Sequence, residues 1–467
     1  MDARPHLRLG ALALLSALPL LVHAADGDLD PSFSTDGKAW YDWPGTLVQA
    51  ETTAVLAFHD GSVVTAGWVD NGNDDRDFAL VRFTPAGIPD PAFGSGGAVQ
   101  HAFDAVAGGD DRAVGVFDAG AGRLLVVGSV DVGPSQPYRL PGLLRLLPNG
   151  DPDPAFGTGG RRLLDVHPFG AAASFNFKVA RRAPDGRILV AGYCSNCGNG
   201  GPPDMVVLRL TAQGDPDPGF GNAGWANFGS VEGNFWLNEQ ANDVAVDALG
   251  RVLLVGSSEL DSDPNEIVRP LVVRFTAAGE LDDSFGDGGA QVLNLLGSWS
   301  AAAVAIAPAS KRPLIAINLV NPGAATPAAL LLRLTASGGL DDSYAAGNGV
   351  DLTREEGSHI DALVFREDGR LMAAGWIDPN GAGQQDFFLA RVLADGTLDD
   401  SYDGNGVERV AFDIVTNSHD RATALALSRE RAVVAGTLSA FHTDVHYATG
   451  VLRLQSALLF GNGFEQP

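Results

Sequence analysis

An Arg closing an apolar run is followed eight residues later by an Asp that opens a Gly-bounded turn, and this pairing recurs along the chain. The complete pairs are Arg82–Asp90, Arg145–Asp153, Arg209–Asp217, Arg274–Asp282, Arg333–Asp341 and Arg391–Asp399. Arg453 has no Asp after it, and Asp30 has no Arg before it. A repeat unit cut in two, with its halves at opposite ends, is what a ring of repeats closed by its own termini requires. Asp30 is therefore expected beside Arg453.

The turns occupy 27–37, 87–97, 150–160, 214–224, 279–289, 338–349 and 396–406, and an aromatic stands three residues after each Asp. The Asp-to-Asp spacings are 60, 63, 64, 65, 59 and 58 residues. A second element recurs between the turns. It is a short apolar run closed by Gly, as in Val63 to Gly67, Leu124 to Gly128, Ile188 to Gly192, Val252 to Gly256, Leu371 to Gly375 and Ala432 to Gly436. Pro313 to Ile317 takes the same place without the Gly. A basic residue precedes six of these runs: Arg123, Arg187, Arg251, Arg312, Arg370 and Arg431. Asp-Gly pairs such as Asp60-Gly61 and Asp368-Gly369 sit just before, where a tight hairpin needs positive φ.

Each unit thus reads as four short strands: A (Thr53 to Phe58 in the first), B (Val63 to Val69), C (Phe78 to Phe83) and D (Gly97 to Phe103). The composition fits, with 59 Gly and 27 Pro for turns and 45% hydrophobic residues for a core. No stretch after the N-terminus sustains a capped helical period. The expected fold class is all-β: a seven-bladed β-propeller of four-stranded blades over 25–456. The strand at Gly37 to Trp43 completes the last blade beside Val451 to Leu454, so no sheet edge is left at the seam.

Residues 1–24 have the form of a secretory signal peptide. Arg4 and Arg8 precede an apolar stretch, Leu9 to Val22, and Val22-His23-Ala24 is a small-residue cleavage site. An exported protein follows, periplasmic, secreted or at the cell surface, with no membrane insertion of the mature chain. Residues 457–467 form a separate C-terminal tail. Removing residues 1–24 takes the formal charge from −26 to −27. Such an acidic chain offers no clustered cations for phosphate backbones, which excludes nucleic acid as a partner. Cys194 and Cys197 are the only cysteines, and in an oxidising compartment they are expected to form a local disulfide.

The runs Asp368 to Gly375, Asp386 to Arg391 and Gly279 to Gly289 together resemble the delta-60 repeat family of bacterial proteins, over nearly all of the mature chain. The pattern is also similar to propellers of the NHL type. The resemblance implies an exported, propeller-like repeat protein and brings no shared catalytic residues.

Residues present in all seven units are expected to serve what the units share, the fold. The Arg–Asp pair is expected to pin the C–D hairpin, with a loss of about 3–5 kcal/mol if one partner is removed. The aromatic is expected to plug between blades. A–B and C–D turns share one face and are nearly constant, whereas B–C and D–A loops share the other and vary. Variable loops on a rigid scaffold carry binding. On that face stand the oxygen-rich loop with Asp74, Asp75 and Asp77, a Ca²⁺ candidate without the last EF-hand ligand. Trp236 and Glu239 lie in an aromatic segment suited to a sugar or a partner. His442, Asp444 and His446 alternate as metal ligands on a strand face would. No cofactor is otherwise expected. The starts of strand A read as mostly Ala, Thr and Val, with Asp243 and Asp361 as exceptions. The function favoured is a monomeric binding scaffold for a protein or carbohydrate, ahead of a metal-assisted propeller hydrolase or lactonase.

Overall fold

The computed structural model describes residues 27–455 except 45–48, 73, 104, 134–137, 198–201, 230, 233–234, 261–266, 321–328, 346–348, 353–356, 379–383, 413, 415–417, 429–430 and 441–446. All of its regular structure is strand, arranged as seven antiparallel sheets. The chain is a seven-bladed β-propeller.

Strand A is innermost in every blade: Gln49–Ala57, Arg112–Gly120, Ser174–Arg182, Phe235–Val246, Trp299–Ile306, Ser358–Phe365 and Ser418–Ser428. Each packs against the strand A before and after it, and the last packs on the first, which closes the ring. Strand B (Val63–Asp70 in blade 1) and strand C (Arg76–Phe83) are buried almost throughout, because each blade is covered on both faces by its neighbours. Strand D is short, Ala98–His101 in blade 1. Blade 4 carries a fifth, two-residue strand, Val231–Glu232.

Blade 7 takes its outer strand from the N-terminus. Lys38–Asp42 pairs antiparallel with Tyr447–Arg453, from Lys38 opposite Leu452 to Asp42 opposite Ala448. Leu29 bridges Leu454, and the Asp30 amide donates to the Arg453 carbonyl at 2.8 Å. The two half-units therefore rejoin as one.

The seven C–D hairpins share one construction. One oxygen of the Asp accepts the Arg Nε–H at 2.6–2.9 Å: Asp90, Asp153, Asp217, Asp282, Asp341, Asp399 and, from Arg453, Asp30. The other accepts the amide two residues on, as at Ser32, Ala92 and Ser401, and fixes the turn. The guanidinium also lies over the turn's aromatic, from Arg209 over Phe220 at 4.3 Å to Arg391 over Tyr402 at 4.9 Å. The aromatic in turn meets the Gly that opens the next blade's turn. A Cβ at Gly396 would stand 2.9 Å from the Tyr344 ring, and one at Gly27 would stand 2.4 Å from Tyr402. The basic residue before strand B closes the arrangement: Arg123, Arg187, Arg251, Arg370 and Arg431 reach the same carboxylates at 3.1–3.6 Å, as Arg312 does. Burial disfavours charge on these carboxyls. Hydrogen bonds and guanidinium charge outweigh it, and Asp30, Asp217, Asp282, Asp341 and Asp399 titrate below the usual carboxylate range.

Candidate functional site

Every strand A carries a β-bulge at the same level. The pairing with strand B slips at Thr53, Val114, Lys178, Asn242, Ala302, Asp361 and Thr423. A bulge inserts one residue and so reverses which side chains face inward beyond it. Two residues earlier, each strand A presents Glu51, Arg112, Asn176, Gln240, Ser300, His359 or Arg421. These seven are open to solvent to some degree, while Thr52, Ala113, Phe177, Ala241, Ala301, Ile360 and Ala422 between ring and bulge are buried. Seven polar side chains thus stand at one level, and four of them, Glu51, Ser300, His359 and Arg421, line the channel mouth on the variable face.

This corrects the expectation that strand A starts offer mostly Ala, Thr and Val with Asp243 and Asp361 as exceptions. Ala and Val fill the positions facing the blades. Asp243 lies just past its bulge and is buried between blades, accepting Arg181 Nε at 3.0 Å and the Val304 amide at 3.0 Å. Asp361 is itself a bulge residue and faces the channel.

Strand B supplies a second layer. The residue paired with each ring residue is Trp68, Ser129, Tyr193, Ser257, Asn318, Trp376 or Thr437. The Gly before it is where the ring residue's carbonyl comes close. A Cβ at Gly67 would be 1.8 Å from the Glu51 oxygen, and one at Gly375 would be 1.9 Å from that of His359. Blade 5 keeps its bulge with Ile317 there, so Gly accompanies the close carbonyl without being needed for the bulge.

Two adjoining cavities occupy the channel mouth. One, of about 440 Å³, is lined by Lys178, Arg181, Asn242, Ser300 and Asn318. The other, of about 660 Å³, is lined by Trp68, Trp376, His419, Arg421, Thr437 and Tyr447. Glu51, His359, Asp361 and Thr423 belong to both. His359 stacks on Trp376 at 5.2 Å, and its Nδ1 lies 3.1 Å from Asp361 Oδ1 and 3.1 Å from Asn318 Nδ2. The Asn318 amide is held by both backbone groups of Ile360, which ties blade 5 to blade 6 beneath the imidazole. The cations stand on aromatic rings: Arg112 over Trp68 at 5.7 Å, Lys178 over Tyr193 at 5.6 Å and Arg421 over Trp376 at 5.3 Å. Asp110 holds Arg112 through two bonds of 2.7 Å.

The channel walls exclude much of the water around the side chains they enclose. This raises the pKa of Glu51, against the pull of Arg112 and Lys178 and with a push from Asp361. It lowers that of Lys178, helped by Arg112. Three bulge side chains are used to join blades: Thr53 Oγ1 donates to the Ala113 carbonyl at 2.8 Å, Asn242 Nδ2 to that of Ala301 at 2.9 Å, and Thr423 to that of Thr52. Among the described residues Lys178 has no hydrogen bond or ion pair, and Asp361 has only His359.

None of the described candidates read from the loops lines the two cavities, although Glu239 directly precedes the ring residue Gln240. Asp74 is exposed and pairs with Arg76 at 2.6 Å. The Asp75 carbonyl accepts the Asn71 amide at 2.8 Å, and Asp77 accepts Asn71 and Gln100 at 2.8 and 3.0 Å. Glu239 is buried in strand A of blade 4, where Trp236 also sits. His442, Asp444 and His446 fall outside the described residues. Cys194, near the end of strand B of blade 3, is bridged to Cys197 just after that strand. Among the described residues, no three His, Cys, Asp or Glu side chains form a metal-holding group. The polar ring was not anticipated; the Gly that closes strand B beside the bulge in six of the seven blades was the available signal.

Residues 59–93, 122–156, 183–220 and 366–402 match the family model described as a domain of unknown function (DUF5122), beta-propeller. Each match runs from the A–B turn to the aromatic of the C–D turn. With the seven blades above, this makes the chain a propeller repeat protein. No curated protein matches it. Among solved structures it is similar to a protein of unknown function from Dyadobacter fermentans, with 12% identity over 90% of this chain and 100% of that one and a TM-score of 0.41. It is similar to an alpha-L-arabinofuranosidase from Fusarium graminearum, with 12% identity, 76% and 97% coverage and a TM-score of 0.40. It is also similar to Trypanosoma rangeli sialidase, with 8% identity, 93% and 61% coverage and a TM-score of 0.40. No activity is carried across from these likenesses.

Proposed function

We propose that this protein is an exported, monomeric binding scaffold of the delta-60 kind whose ligand sits in the channel mouth on the variable face. The observation that carries this is the polar level of the strands A, four of whose seven side chains (Glu51, Ser300, His359 and Arg421) line cavities large enough for a small ligand, beside Trp68 and Trp376. The rest of each blade is committed to the hairpin pairs and to packing. The ring is where the seven units differ while their backbones agree.

Hydrolysis is a second reading, favoured by one observation: Glu51 and Asp361 face the same cavities, and enclosure holds Glu51 toward its protonated, acid form. Ala302 lines the first cavity at the bulge level, so Ala302→Trp plugs it. In thermal-shift screening against small glycans and peptides, ligands should stabilise the native chain and a Gln213→Trp control on the constant face. They should fail with Ala302→Trp. Ligands that still stabilise the plugged variant but not the Gln213 variant would move the site to the other face. Consumption of a bound ligand, abolished by Glu51→Gln, would establish the hydrolase instead.

A further inference from the structure

Resting on the channel mouth as the ligand site, we infer that the ligand is an acidic oligosaccharide carrying a carboxylate on each of two sugar units, one unit in each cavity. The two cavities have the same plan. Each holds one cation that faces the channel and makes no ion pair with a carboxylate among the described residues, although Glu51 acts on Lys178 at longer range. Lys178 fills this place in the first, and Arg421 in the second, where its Nε is held by the amide oxygen of Gln385. Arg181 also lines the first cavity but is neutralised by Asp243 at 3.0 Å. Lys178 is one of only three lysines in the chain, with Lys38 and Lys311. Two cations open to an enclosed channel, in a protein of formal charge −26, form a local exception that favours anions.

The wall shared by the cavities is of opposite character. Glu51 and Asp361 would repel phosphates or a run of acidic side chains placed between the cations. They suit a ligand that brings hydroxyl donors to that point. Around them stand the hydroxyls of Ser300 and Thr437, which both donate and accept, and the side-chain oxygens of Asn242 and Thr423, which accept. Carboxylates at two ends and hydroxyls between describe linked uronic acids, and their ring C–H faces fit beside Trp68 and Tyr447. Lys178 and Arg421 stand in different blades and different cavities, so a single carboxylate on one sugar uses only one of them.

Titration calorimetry on the mature chain tests this with dimers and trimers of galacturonate, mannuronate and glucuronate, their monomers, and their carboxyl-reduced counterparts. At least one acidic dimer should bind at least about tenfold more tightly than its monomer and its reduced form, with affinity falling as salt is raised. Lys178→Met and Arg421→Gln should each weaken it by about tenfold and together by about a hundredfold, since the two cations act at separate positions. Lys38→Met, outside the channel, should leave it unchanged, and thermal melts should show all variants folded. Equal binding of acidic and reduced sugars would overturn the acidic assignment while leaving the channel mouth as the site. Binding that survives the double substitution, or no binding by any acidic probe, would overturn the inference. Binding of the acidic dimer unaffected by Ala302→Trp would instead remove the channel mouth itself.

Discussion

Arg391 is the most enclosed of the seven hairpin arginines, with none of its side chain exposed. It spends its charge on Asp399 at 2.8 Å, on the Ser401 hydroxyl at 2.8 Å and on the Tyr402 ring. Removing Arg391 leaves the buried Asp399 without its nearest cation, with only Arg370 at 3.2 Å and the Ser401 donors. Arg391→Met should therefore lower unfolding free energy by about 3–5 kcal/mol in urea melts, and a second change, Asp399→Leu, should recover part of it. Recovery of nothing would show that the turn geometry set by Asp399 matters more than the charge. These pairs were legible in the sequence because each is local, eight residues apart, and repeated. The channel residues were not. Glu51, Ser300, His359 and Arg421 are four different residue types and stand in no motif, and only their equal distance from a bulge relates them.

At the scale of the strand, the bulge is the device that separates fold from function. Simple alternation from the buried residues of strand B puts Ala and Val of strand A on the blade-facing side, and it gives no sign that the inward set changes at Thr53 or Asp361. The hydrophobic pattern is nearly continuous in these sandwiched strands, so it carries little parity information. The strand-B Gly does carry some. A Cβ at Gly375 would overlap the His359 carbonyl at 1.9 Å and Ile360 Cα at 2.9 Å, both backbone atoms that move only with the strand. Gly375→Ala should cost about 1–3 kcal/mol and should also weaken ligand binding by displacing His359 and Asp361. The same change at Gly369, whose Cβ would meet nothing within 4 Å but whose φ is +83°, should cost stability alone. Equal losses of affinity in both variants would detach the ring from the bulge.

At the scale of the whole molecule, two sets of carboxyls set opposite pH dependences. The hairpin Asp residues have depressed pKa values, so the stability they contribute is present above 3.8 and is lost as pH falls through their folded values. Asp111 and Glu408 run the other way. Burial raises each to about 7, so their contribution is full below the ordinary 3.8 and 4.5 and is lost as pH rises through about 7. Between about pH 5 and 7 the second set lowers the melting temperature as pH rises, opposed by His101 and His167, whose pKa values burial depresses. Glu408→Gln, which keeps a hydrogen-bonding group for Tyr402, should flatten part of the slope. An unchanged slope in that variant would assign the effect elsewhere.

The ring is also a property of the whole chain, and its closure was legible from two unpaired residues, Asp30 and Arg453, because a broken repeat count has few geometric solutions. Their contact at 2.8 Å spans 423 positions of sequence. Strand complementation measures this closure most directly. A chain beginning at residue 45 lacks the outer strand of blade 7 and should melt at a much lower temperature than one beginning at residue 25. A peptide of residues 27–44, added in trans, should bind it saturably and restore the melt. A truncated chain that melts like the longer one and ignores the peptide would contradict a ring sealed by its two ends.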